Sequence, residues 1–158
     1  PSASSTPALT PTPAIAETPI LSGTLTPDEL ALIVPETIER ANRLLRLAFA
    51  EPSADNREQL AEVWRGNALQ KATGLVDDMA NRYTAPIEVT YEYVITPTVV
   101  EQLSDGRVEA ADRELWTYMG VTTIYTESVQ YRYFLEQIDG TWYIVDSRHV
   151  TWEHTPED

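Results

Sequence analysis

Apolar residues recur every three or four positions from Ile38 to Tyr83 and every second position from Ile87 to Ile95. The period therefore changes from helical to extended near Pro86. In the first part, Ile38, Ala41, Leu45, Ala48 and Phe49 form one stripe. Leu60, Val63 and Trp64 form a second, and Leu69, Ala72, Val76, Met79 and Tyr83 a third. Three helices follow from this spacing, and plain core packing accounts for their stripes. Thr26, Pro27 and Glu29 make a capping box with proline at the first helical position. Pro35 is expected to break that helix into a short turn near 27–33 and a longer segment at about 35–50. Ser53 or Asp55 can cap the second helix and Asn67 the third, with Gly66 at the break between them.

The second part reads as four long antiparallel strands. Ile87, Val89, Tyr91, Tyr93 and Ile95 alternate with Glu88, Thr90 and Glu92, and Pro97 demands a bulge or an edge. Asp105-Gly106 and Asp139-Gly140 supply two-residue turns, with a third turn near Met119-Gly120. Pairing about Asp139-Gly140 sets Leu135 opposite Ile144, Tyr133 opposite Asp146, Tyr131 opposite Arg148 and Val129 opposite Val150. Trp142 is then expected to be buried against the helices, beside Leu135 and Ile144. Arg132, Phe134, Tyr143, Val145 and His149 share the other face. Helices followed by strands give an α+β fold, with the N-terminal helices packed on a curved four-stranded antiparallel sheet.

Residues 1–26 are built from Pro, Thr, Ser and Ala, with no aromatic or basic residue. Such a segment has too little apolar surface to offset its ordering entropy, so it is expected to be a disordered tether. Residues 27–152 are expected to form a single domain and 153–158 a C-terminal tail. The chain starts at Pro1, so any targeting segment is expected upstream of it. A net charge of -14 disfavours nucleic acid and anionic membrane surfaces. The absence of cysteine excludes disulfides and thiolate chemistry.

Three stretches carry a resemblance. "LAEVWRGNAL" (60–69), "VEAADRELW" (108–116) and "YRYFLEQIDGTWYIVDSRHV" (131–150) resemble the nuclear-transport-factor-2-like, or cystatin-like, cone superfamily. Within it they are most similar to the intermembrane-space-type domain of plastid division proteins and its bacterial relatives. The resemblance covers about residues 35–152. It implies a curved sheet wrapped around its own helices and a protein-docking role without catalysis.

The superfamily also includes ketosteroid isomerases and polyketide cyclases, which work inside the cone. That chemistry needs a carboxylate base with a proton-donating Tyr or Asp near an enolate. Asp112, Glu114 and Asp146 lie on predicted strands, and Tyr131, Tyr133 and Asp146 would form a pocket of this type. The plainer reading pairs Asp146 with Arg148 or Arg132. His149 and His154, five apart, share no strand face, so no metal site and no cofactor are expected. The sequence thus favours a non-catalytic, tethered extracytoplasmic interaction or sensor module. It would dock a protein partner or a second copy through Arg132, Phe134, Tyr143, Val145 and His149. The alternative is a small-molecule-binding or isomerase-like enzyme. This fragment has no segment expected to insert directly in a membrane.

Overall fold

The computed structural model describes residues 25–157, with side chains as far as Thr151. The expected tether, apart from Leu25 and Thr26, lies outside the described residues. The order is α1 (Pro27–Ala50), α2 (Ala54–Gln59), a 3-10 turn (Leu60–Glu62), α3 (Gly66–Arg82), β1 (Glu88–Gln102), β2 (Val108–Met119), β3 (Ile124–Ile138) and β4 (Thr141–Glu157). The strands form one antiparallel sheet in sequence order. The helices pack on its concave face, with α1 mainly against β1 and α3 against β4. This is the α+β arrangement that the change of period predicts.

The capping box at Thr26 and Glu29 is formed in both directions, and Ser53 caps α2 through the Asn56 N–H. Pro35 does not break α1, which runs through it. Leu30, Val34 and Ile38 on either side are all buried on the same face. Their packing outweighs the ~3 kcal/mol that an interior proline costs a helix. Ala31, whose carbonyl loses its helical partner to the proline ring, is exposed, so solvent can serve it. Asn67 does not cap α3; its amide instead reaches Asp146. Gly66 opens α3 with a φ of +52°, which a side chain would strain.

That glycine turns the chain out of a short run beside the sheet. Ile144 donates its N–H to the Val63 carbonyl, and Arg65 donates to the Ile144 carbonyl, both at 2.9 Å. Trp64 therefore lies parallel to β4 at Ile144 and covers part of its free edge. On the opposite edge, β1 is irregular on either side of Pro97, where the ring demands a bulge.

The Asp139-Gly140 turn has positive φ at both residues, 51° and 82°, and Leu135 faces Ile144 as predicted. The register then slips. Phe134 pairs with Asp146, Tyr133 with Ser147, Tyr131 with His149 and Val129 with Thr151. Val145 is the extra residue of a bulge, and beyond it every β4 side chain is moved one position. β4 also continues through the positions expected as a tail, since Glu157 pairs with Ile124.

Trp142 is only half buried. It packs on the edge of the core and borders a shallow pocket with Ile33, Thr37 and Arg40 of α1. Trp142→Ala is therefore expected to cost about 2 kcal/mol, below the ~3–5 kcal/mol of a core tryptophan. Chemical denaturation monitored by circular dichroism measures it. A cost equal to that of a core site would show that the residue is more deeply packed.

Candidate functional site

Alternation along β2 points Ala110, Asp112, Glu114, Trp116 and Tyr118 into the cone, and all are buried. Glu114 is fully enclosed. It accepts hydrogen bonds from Asn42 Nδ2 (2.5 Å), Tyr133 Oη (2.7 Å) and Trp116 Nε1 (2.5 Å). Asn42 sits on the buried stripe of α1 and also donates to Tyr93 Oη at 3.3 Å. Asp112 is 2% exposed. Among the described residues, neither of its oxygens receives a bond from nitrogen or hydroxyl. Burial, then the charge of Glu114, pushes the Asp112 carboxyl up to about 10. Burial raises Glu114 too, but its donors oppose the rise. Burial thus favours the neutral form of both carboxyls, and the donors around Glu114 make it the easier of the two to ionise.

The acid pair is walled by aromatic rings. Tyr131 stacks on Tyr133 with centroids 5.1 Å apart. Trp116 packs on Phe49 at 5.5 Å and on Tyr91 at 4.8 Å. Beyond Trp116 toward the mouth of the cone, Tyr118 Oη and Tyr125 Oη each donate to Glu127 at 3.2 Å. A cavity of about 300 Å³ opens there, bounded by the C-terminal half of α3, β3 and the adjoining part of β4. Its walls include Phe49, Met79, Tyr118, Glu127, Tyr131 and His149. Asp112 and Glu114 do not line it. On the β1 side, Tyr91 and Tyr93 donate to the two oxygens of Glu39 at 2.8 and 2.7 Å.

The convex face is different in character. Arg132 pairs with Glu109 and stands directly opposite Arg148 in the register. The guanidiniums of Arg148 and Arg107 lie over the Phe134 ring, at 5.5 and 5.8 Å from its centroid. Arg113, one step away, bonds Ser128 Oγ at 3.1 Å. Val150, on the same face, is 58% exposed.

The predicted site residues separate accordingly. Arg132 and Phe134 share the convex face as expected. Tyr143 is capped by Arg65, whose guanidinium is 4.5 Å from the ring centroid, and Val145 is the bulge residue. His149 moves to the concave side, 5.5 Å from Tyr131, because the bulge inverts the faces beyond it. Of the predicted pocket, Tyr131 and Tyr133 are inside the cone and Asp146 is not. Asp146 binds Lys71 Nζ at 2.8 Å and Asn67 at 3.0 Å on α3. The Lys71 bond, with help from the Ser147 N–H, holds its carboxyl below the usual range. It pairs with neither Arg148 nor Arg132. The buried acid of the cone is the Asp112–Glu114 pair. Alternation within "VEAADRELW" marks both acids as inward-facing, and Asn42, a polar residue four after Ile38, marks their partner.

Three helices in the concavity of an open, curved antiparallel sheet define the nuclear-transport-factor-2-like cone. No family model matches the chain, and no curated protein does. Among solved structures, the intermembrane space region of chloroplast protein ARC6 is similar over 74% of this chain and 93% of its own. The identity is 18% and the TM-score 0.53. The hexachlorocyclohexane dehydrochlorinase LinA-type3 from Novosphingobium barchaimii is 14% identical with a TM-score of 0.58, covering 82% and 94%. A putative scytalone dehydratase from Novosphingobium aromaticivorans is 12% identical with a TM-score of 0.56, covering 83% and 92%. At these identities the likeness carries the fold. Because named enzymes share that fold, it lends no weight to a non-enzymatic assignment.

Proposed function

We propose that the chain is an extracytoplasmic protein-docking module, held at a distance by its Pro/Thr/Ser-rich leader, and that it binds an acidic segment of a partner protein on its convex face. The observation that carries this reading is the grouping of Arg107, Arg132 and Arg148 around Phe134. Like charges directly opposite on a sheet destabilise it, yet Arg132 and Arg148 are so placed on an open face of a chain with net charge -14. Arginine forks match carboxylates in two-point geometry, and an aromatic anchor among them is typical of an interface centre. The cone interior also supports docking over isomerase-like catalysis. Its deepest carboxyl group already receives three donors, two of them from the fully buried rings of Trp116 and Tyr133.

A photocrosslinking residue at Gln130, an exposed position two before Arg132 on β3, tests the proposal in the full-length protein in its host. One discrete adduct is expected, to a peptide rich in Asp and Glu. Arg132→Glu with Arg148→Glu should abolish it while the circular dichroism spectrum stays unchanged. An adduct that survives the charge reversal, or none at all, overturns the reading. An adduct to a second copy of this chain replaces it with self-association.

A further inference from the structure

From the cavity at the mouth of the cone, we infer that the chain binds a small organic ammonium ion there, at a site separate from the convex face. At about 300 Å³ the cavity is at the small end of ligand pockets, so it suits an ion of a few carbons. Its walls mix polar groups with apolar and aromatic ones, the latter including Phe49, Met79, Tyr118 and Tyr131. Aromatic faces attract cations through the ring quadrupole, most strongly where water is partly excluded. Tyr118 is itself fixed, stacked on Trp116 at 6.4 Å and on Tyr125 at 5.9 Å.

The charge at the rim agrees with a cation. Glu127 lies in the wall, held by the Tyr118 and Tyr125 hydroxyls, and Asp78 of α3 lines the same cavity. Both phenols are raised above their ordinary range, by burial and then by the charge of Glu127. They therefore stay neutral and serve as donors that orient the carboxylate. Arg82 also lines the rim, and its hydrogen bond to Tyr125 opposes that phenol's rise. Two carboxylates, Glu127 and Asp78, thus line the cavity against one guanidinium. An ammonium group would sit between Glu127 and Asp78, with its alkyl body against Met79 and Phe49. The field of a chain with net charge -14 favours its entry over that of an anion.

Two probes of the same shape and opposite charge test this on the whole chain: 3-methylbutylammonium and 3-methylbutanoate. Titration is followed by nuclear magnetic resonance of the Met79 methyl group and the Tyr118 ring. The ammonium is expected to shift both signals saturably, with a dissociation constant of about 1 mM or lower. The carboxylate is expected to leave them unmoved. Glu127→Gln should weaken binding about tenfold, as loss of one charge-assisted contact does. Asp78→Asn, at an exposed site where folding is not at stake, should weaken it by a smaller factor. Equal or tighter binding of the carboxylate overturns the inference, as does a linear response to the ammonium or an undiminished affinity in both variants.

Discussion

Trp116→Ala is expected to remove about 3–5 kcal/mol of stability, a large share of the ~5–15 kcal/mol that holds a domain of this size folded. Trp116 is 1% exposed and joins the two layers of the fold. Its ring meets Phe49 of α1 edge-on and stacks on Tyr91 and Tyr118 of the sheet. Its indole N–H also donates to Glu114. Truncation opens a cavity at the layer boundary and takes one donor from a buried carboxyl group, and both effects have the same sign. Urea denaturation of the variant measures the loss. A value below 2 kcal/mol would mean that the surrounding rings collapse into the space.

The second large effect is a dependence on pH. In the unfolded chain Asp112 titrates as an ordinary aspartate, near 3.9; in the fold its carboxyl is raised to about 10. Between those values the folded chain holds more protons than the unfolded one. Stability is therefore fullest below the ordinary carboxylate range and is lost as pH rises toward 10. The slope reaches at most about 1.4 kcal/mol per pH unit for one proton. Asp112→Asn keeps the shape and can donate to Glu114 without titrating. The variant is expected to gain on the wild type steadily between about pH 5 and pH 9, read from paired thermal melts. Parallel curves would show that Asp112 holds no extra proton in the fold.

Where the sequence was legible, local rules acted alone. The Thr26 capping box, the Asp139-Gly140 turn and the alternation in β2 each depend on neighbours a few residues away. Pro35 misled because its cost is local while the burial of Val34 and Ile38 that offsets it is tertiary. The convex patch was half legible for a similar reason. Arg132 and Phe134 lie on β3, which is regular opposite β2. His149 lies beyond the Val145 bulge, which turns it to the side opposite the one that strict alternation predicts. Two adjacent apolar residues, Ile144 and Val145, followed by two polar ones, Asp146 and Ser147, are the trace that the bulge leaves in the sequence. The link between Asn42 and Glu114 spans 72 positions, and no local pattern reports it.

The run from Val63 to Arg65 has a consequence for how the molecule comes into being. Its partners lie on the last strand, and the bond from Arg65 to Tyr143 bridges 78 positions. As the chain is made from its N-terminus, α1 to α3 emerge with their apolar stripes uncovered. The strand that pins the break between α2 and α3 arrives last. Contacts of such long sequence separation close slowly, and exposed apolar surface is where nascent chains go astray. A release short of Ile144 would leave three amphipathic helices without a completed sheet, so the folding of this domain waits on the arrival of β4.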